Sequence, residues 1–558
     1  MMMLGNYIQN LKNSSLRSFA AYFALSLIFM AISSTASAQD VSTVAVNITD
    51  STEDLPGLVS AFAYLLGLIF GIRGILKLKA HVENPGNGSG QTPLRTPFIS
   101  FIIGGALFAL PMILRVAQTT IDGGSGGGFG ASLSLALAGI STLFGGLTPV
   151  AGDDFNSILS NIGISLLTVP GLISAFSYLF GIVLVVLGTI KVKEHVETPE
   201  QTKLSEAVIR ILIGGALLAM PTIYNAMFNT VDGTGGVWTL ISFFTGTFTS
   251  DFIGNCTAGS TGLGQRICGI VTHTGAFPAF LTGMAYIFGL VMGVWGVLKI
   301  RDHVLNPQQT GVFEGISRLI AGGAFFALPF VVQVFTNTIA GGGIGGAAYT
   351  SYNYGSGTLA GYVSTLLSSG SCPASALGLD ALMLCFASDI LGPVHVLLNF
   401  FAFVAGIIFI MIGISRLIKG AQEGAKAPGG LGTLMTFAIG GALISYNDII
   451  RAATTTFTGS TTTQTFAKMQ YTTGMTPAET AAAHAVITSI IKFMIVVGII
   501  SFVRGLFIVR SVAEGNQQAS MMAGVTHLIG GALAVNLGPV LNAVQETLGT
   551  TAFGITFS

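Results

Sequence analysis

One pattern governs this chain of 558 residues: it repeats itself five times. Gly-Gly-Ala recurs at Gly104-Gly105-Ala106, Gly214-Gly215-Ala216, Gly322-Gly323-Ala324, Gly440-Gly441-Ala442 and Gly530-Gly531-Ala532. Upstream of each lies a second shared element. Tyr64-Leu65-Leu66-Gly67 matches Tyr178-Leu179-Phe180-Gly181 and Tyr286-Ile287-Phe288-Gly289. Phe403-Val404-Ala405-Gly406 and Ile495-Val496-Val497-Gly498 take the same place in the last two units. Seven residues after each of these glycines comes another: Gly74, Gly188, Gly296, Gly413 and Gly505. Self-similarity of this kind marks a tandem array of one supersecondary unit.

Composition says what the unit is made of. Hydrophobic residues make up 51% of the chain and charged ones 8%, against roughly 25% charged in an ordinary soluble domain. Mean hydropathy is +0.76. These values exclude a soluble multidomain enzyme, and equally a disordered chain, which needs low hydrophobicity and high charge. The fold class expected is an all-α polytopic membrane protein of five tandem two-helix hairpins, following a cleaved signal peptide. First arms are expected over 56–80, 169–191, 278–300, 393–419 and 486–510, and second arms over 98–120, 207–230, 314–338, 431–452 and 521–545. Each is long enough to cross about 30 Å of hydrocarbon, so ten membrane helices are expected. The hairpins divide the chain at 39–120, 121–230, 231–338, 339–457 and 458–558.

Residues 1–38 read as a secretory signal. Lys12 and Arg17 precede an apolar run from Phe19 to Ile32, and Ala36-Ser37-Ala38 supplies a small-x-small cleavage site before Gln39. The signal implies a bacterial inner membrane with the mature N-terminus in the periplasm. Charge gives the same orientation. Sixteen of the 21 basic residues of the mature chain lie in or beside the short turns within hairpins, which are therefore expected to be cytoplasmic. The long connections and the C-terminus are then periplasmic. Segments 131–149, 155–168 and 237–247 read as amphipathic helices at that interface, and 340–371 as irregular. The four cysteines, Cys256, Cys268, Cys372 and Cys385, all fall in these connections. Close pairing in an oxidising compartment favours two local disulfides. A four-cysteine metal site is the alternative, but the spacing lacks the C-x2-C signature.

Gly67 and Gly74, with their counterparts in each repeat, share a helix face. Small residues let membrane helices approach closely, where dispersion replaces the missing hydrophobic drive. The Gly-Gly-Ala elements offer a matching surface on the second arms. Pro111, Pro221 and Pro329 should kink those arms in the first three hairpins. The turns carry Lys77-x-Lys79-x-His81, Lys191-x-Lys193-x-His195 and Lys299-x-Arg301-x-His303, followed by Asn84-Pro85, Thr198-Pro199 and Asn306-Pro307. These basic residues set orientation and can meet anionic headgroups or a cytoplasmic partner. Neither a catalytic constellation nor a cofactor, metal or nucleic-acid motif is found in the sequence, so the chain is not expected to be an enzyme.

The Ala63-Tyr64-Leu65-Leu66-Gly67 element, the Lys77, Lys79 and His81 turn, Asn84-Pro85, and the paired glycines Gly104-Gly105 resemble a known family. This is the small two-helix inner-membrane components of type IVB secretion systems, the IcmD/DotP type, with the related DotE, DotV and DotA proteins. Members of that family also begin with a signal peptide. The resemblance covers each hairpin, best in the first three, and departs in having five in tandem. It implies a structural, channel-forming part in a machine that moves effector protein or conjugative DNA, with the lipid bilayer and other secretion-system membrane subunits as partners. A homo-oligomer, or a single-chain ring of five hairpins, follows as the expected assembly. The other class left open is a stand-alone channel or transporter built from parallel repeats.

Overall fold

A computed structural model describes residues 55–83, 95–110, 154–166, 168–198, 203–220, 262–340, 378–423, 430–459, 467–550 and 554–557, with a few single positions besides. The signal segment, Cys256, Cys372, Pro111, Pro221 and the segments 131–149, 237–247 and 341–371 lie outside the described residues. The chain divides into two compact units, Met1–Leu147 with Ser165–Thr222, and Thr148–Ile164 with Ile223–Ser558.

The first unit holds hairpins one and two. Helix α1 (Leu55–Glu83) is followed by α2 (Arg95–Phe108). Beyond α3 (Phe155–Leu166), α4 (Val169–Glu197) is followed by α5 (Leu204–Leu218). The second unit holds the other three. Its helices are α6 (Gly262–Thr274), α7 (Phe277–Leu305), α8 (Val312–Phe326), α9 (Leu328–Ala340), α10 (Leu379–Glu423), α11 (Gly430–Ile444) and α12 (Tyr446–Thr458). Strand β1 (Ala467–Met469) precedes α13 (Pro477–Ala513), α14 (Met521–Val535), α15 (Leu537–Thr547) and strand β2 (Ile555–Phe557). The protein is thus mostly helical but not all-α: β1 and β2 pair antiparallel, Ala467 opposite Phe557.

Local sequence explains where the first arms begin and end. Pro170 and Pro278 stand in the first turn of α4 and α7, where a missing N–H costs nothing. The arms stop at Thr198 and Asn306, whose φ of −140° and −137° with ψ of 74° lies outside the helical region that a following proline disfavours. Helix α13 opens instead with a capping box, Thr476 and Glu479 satisfying each other's backbone N–H groups.

Each hairpin closes on one contact. A Cβ placed on Gly67 would lie 2.7 Å from the Gly104 carbonyl oxygen, and one on Gly104 would lie 2.9 Å from the Gly67 carbonyl oxygen. The same reciprocal approach joins Gly181 to Gly214, Gly289 to Gly322, Gly406 to Gly440 and Gly498 to Gly531. Seven residues along the first arm, Gly74, Gly188, Gly296, Gly413 and Gly505 receive the side chains of Phe101, Ile211, Leu319, Phe437 and Leu528, each three residues before the second-arm clasp glycine.

Two expectations about the glycines change. Side chains on Gly105, Gly215 and Gly530 would meet nothing within 4 Å, so these three do not pack the hairpins. In the fifth repeat the clasp falls on Gly531 and not Gly530, so the sequence match there is out by one residue.

The second arms also differ from expectation. Helices α2, α5, α8, α11 and α14 are 14 or 15 residues long. At 1.5 Å per residue that is about 22 Å, short of a full crossing. A turn interrupts every one at Ala109, Ala219, Ala327, Ser445 and Asn536, five residues past the clasp glycine in each. The chain then turns through 82° in hairpin four and 81° in hairpin five. Proline is not the general cause, because Asn447 and Gly538 stand where the first three repeats have Pro111, Pro221 and Pro329. Ala327, Ser445 and Asn536 stand near φ −100°, ψ +25°, while Ala219 stays helical at φ −82°, ψ −2°, so the breaks do not share one backbone geometry. The described residues therefore contain five helices long and apolar enough to cross a membrane, or up to seven if each bent pair is one span, where ten were expected.

The clasp makes a sharp test between adjacent glycines. Gly531→Ala forces two backbones apart and is expected to cost about 1–3 kcal/mol. Gly530→Ala should be neutral or stabilising by up to about 1 kcal/mol, through helix propensity. Unfolding midpoints of the purified variants in detergent measure both.

Candidate functional site

The candidate site is the junction between successive hairpins, which recurs with the same residue logic. In the first unit α2 packs on α4; in the second, α8 packs on α10 and α11 on α13. In each case the second arm of one hairpin lies against the first arm of the next. Ile103, Leu107 and Leu110 meet Tyr178, Ile182 and Val186 in one buried cluster. Ala321, Phe325 and Leu328 meet Phe403, Ile407 and Ile414 in another. Ile439, Leu443 and Tyr446 meet Ile495, Ile499 and Leu506 in a third. Counted from the clasp glycines, these are the same three positions on the second arms and the same first two on the first arms.

Two junctions carry a charged clasp at their turn ends. Lys77 Nζ lies 2.5 Å from Glu197 Oε1, and Lys193 Nζ lies 3.4 Å from Glu197 Oε2 while standing 4.6 Å from the centre of the Phe70 ring. Arg416 lies 2.8 Å from Glu514, and Arg510 lies 2.6 Å from it while standing 3.9 Å from the Phe409 ring. The register is identical. A cation ten residues after the first-arm glycine reaches a carboxylate sixteen residues after the next hairpin's glycine. That carboxylate holds a second cation over an aromatic ring three residues after the first glycine. Because turn end meets turn end, neighbouring first arms in these junctions run parallel. The Phe409 and Phe507 rings, 5.2 Å apart edge to face, continue the contact inward.

The remaining turn residues do other work. Lys79 pairs with Glu83 at 3.5 Å, both well exposed, and Lys191 with Glu194 at 2.5 Å. Lys299 and the buried Arg318 converge on Glu314 within hairpin three, Arg318 also lying 4.6 Å from the Trp295 ring. Arg301 pairs with Asp302, and the His303 Nδ1 position lies 2.6 Å from the Thr310 carbonyl oxygen, tying the turn shut. His81 and His195 sit half-buried at the same place in their repeats. Among the described residues no group of three or more His, Cys, Asp or Glu side chains could hold a metal ion. Cys268 and Cys385 are not free thiols.

The opposite end of the second unit is closed by polar contacts that sequence reading did not reveal. Asp154 caps α3, accepting from the Ser157 backbone N–H at 3.1 Å and from its hydroxyl, and pairs with His273 at 2.9 Å. Asn156 accepts from the Ala276 N–H at 2.6 Å. Asp389 accepts from the Gly264 N–H at 3.0 Å, docking α6 on α10. Helix α3 carries exposed Phe155, Ile158 and Ile162, in keeping with an amphipathic helix. Near the C-terminus the Asn542 and Gln545 side chains each exchange two hydrogen bonds with the backbone of β2, and the Met469 N–H donates to His484 Nε2 at 2.8 Å.

Glu197 and Glu514 are the functional candidates that the sequence reading passed over. Glu83, Glu197 and Glu514 at one register position was the available signal.

Comparison with family models, with curated proteins and with solved structures finds no match for this chain.

Two outcomes are expected. Glu514→Gln should lower stability by about 1 kcal/mol, and a double-mutant cycle with Arg416→Met should show that the loss is shared; Glu83→Gln should change little. Thermal midpoints of the purified protein supply the cycle. The hydrogen bonds from Ser157, then the one with His273, hold the Asp154 carboxyl down at about 2. Its contribution is complete above its unfolded value near 3.8 and is lost as pH falls through 2. Asp154→Asn should therefore lower the thermal midpoint at pH 7 and make no difference at pH 1.5.

Proposed function

We propose that this protein is a structural, channel-forming component of the bacterial inner membrane, working in a type IVB secretion or conjugation apparatus that translocates effector protein or DNA. The observation that carries this reading is the fivefold repetition of one glycine-clasped hairpin. Its Ala-Tyr-Leu-x-Gly element and basic turn are those of the small two-helix subunits that it resembles. A chain of such hairpins is a covalently linked version of what separate subunits would otherwise assemble.

The topology belongs to the same proposal. Parallel first arms require each second arm, with its bent continuation, to return the chain to the side it started from. This reading takes each second arm with its continuation as one crossing, for ten in all. The basic turns face the cytoplasm, and the mature N-terminus, the long connections and the C-terminus face the periplasm, after removal of residues 1–38. Cys256–Cys268 and Cys372–Cys385 form local disulfides there, each closing a short loop ahead of a hairpin.

The test is gentle purification of the tagged protein from native membranes, read by mass spectrometry. Co-recovery with secretion ATPases and envelope-spanning core proteins is the expected result. Recovery alone as a homogeneous particle that conducts ions in liposomes would replace this reading with a stand-alone channel.

A further inference from the structure

The junction between hairpins has a leading half and a trailing half. The leading half lies on the first arm, at three residues before its clasp glycine and at one, four or five, and eight residues after it. In hairpin two it is Tyr178, Ile182 and Val186, exposed by 5%, 0% and 9%. The equivalents in hairpins four and five are as deeply buried. In hairpin one the same positions hold Tyr64, Leu68, Ile72 and Ile75, and these are 43%, 47%, 50% and 59% exposed. The residues are of the kind that hairpins two, four and five bury against a preceding second arm.

The trailing half lies on the second arm, one residue before its clasp glycine and three after. Hairpins one, three and four place Ile103, Ala321 and Ile439 at the first of these positions and Leu107, Phe325 and Leu443 at the second, and these side chains are buried against the next first arm. In hairpin five the one-residue shift of the glycine pair puts Gly530 and Ala534 there, with Ile529 and Leu533 exposed alongside. A side chain on Gly530 would meet nothing within 4 Å. This is a shallow surface on which a large apolar face can seat closely.

We propose that these two faces are the halves of one more junction, made between two copies of this chain. The first hairpin of one copy docks its leading face on the trailing face of the fifth hairpin of the next. The argument is continuity. Three junctions inside the chain use this arm-on-arm contact, and the array starts with an unmatched leading half and finishes with an unmatched trailing half. A head-to-tail contact of this sort is heterologous, so copies add in one direction and close into a ring or run on as a row. Ser501 and Ile508 occupy the places of the ring and the cation in hairpin five, so Lys79 and Glu83 of the next copy, already paired with each other, meet no charged clasp at the turn end of the new junction. The third-to-fourth junction, with Met292 opposite Ile418 and Gln422, forms on the same terms. This inference needs no secretion partner and stands or falls on the purified protein alone.

Full-length Leu68→Cys and Ala534→Cys proteins carrying different tags are mixed, reconstituted in lipid nanodiscs and treated with a short thiol crosslinker. The expected result is a covalent species of two chains carrying both tags, at least fivefold more abundant than with Phe62→Cys, which is equally exposed on another side of α1. The doubly substituted chain crosslinking within itself at single-chain mass would overturn the proposal in favour of internal closure. Yields no higher than those of Phe62→Cys would overturn it in favour of a lipid-covered face. The particle mass of the unsubstituted protein gives a second reading: multiples of one chain are expected, and a single chain at all concentrations contradicts the proposal.

Discussion

The structure rests on two carbonyl oxygens facing two α-carbons. In each hairpin a glycine on either arm admits the other's backbone to a distance that no Cβ would tolerate. Between apolar helices in a bilayer there is little hydrophobic gain, so close packing supplies the attraction. Dispersion falls off steeply with separation, and a gap of even one methyl group forfeits much of it. The clasp also sets a register. Once two glycines are opposed, every other position on both arms has a fixed level, and the level decides what meets what in the next hairpin.

The charged clasps follow from that register. A cation at ten residues, a carboxylate at sixteen and an aromatic ring at three meet only if neighbouring hairpins stand level. Lys77 with Glu197 and Arg416 with Glu514 meet the condition at two junctions; the third-to-fourth junction lacks the residues and relies on apolar contact. Each ion pair is worth little by itself at a wet boundary. Its value lies in specifying neighbours, because the five hairpins share a packing surface and could otherwise pair in the wrong order. Tandem linkage removes part of that ambiguity and lets individual turns diverge, as hairpins four and five have done.

Much of this was legible in the residues. The glycines at constant spacing disclosed the hairpins, and the proline-flanked turns placed the ends of the first arms within a few residues. The break in the second arms was not legible, because apolar composition continues across Ala327-Leu328-Pro329 and Ser445-Tyr446 without change. Hydropathy reports that a segment can lie in lipid, not that it is straight. Gly530 and Gly531 are indistinguishable by pattern, and only the opposing arm chooses between them. Helix α10 begins at Leu379, fourteen residues before its expected start, because Pro393, a residue type that favours a helix's first turn, lies inside the helix here. The strands β1 and β2 are three residues each and pair across almost ninety residues of chain, beyond the reach of any local signal.

That last pairing bears on the order in which the molecule is completed. Ala467 and Met469 offer one edge of a ladder long before its other edge exists. Thr556 reaches Lys468 across 88 positions, and Phe557 is buried beside Ala467 and Ile491. Until residues 555–557 have been synthesised, Asn542 and Gln545 have no strand to bind and the foot of the fifth hairpin stays open. The fifth hairpin is thus sealed by a strand that lies beyond its own second arm. A product ending at Gly554 would carry every helix of the described residues and still lack this latch.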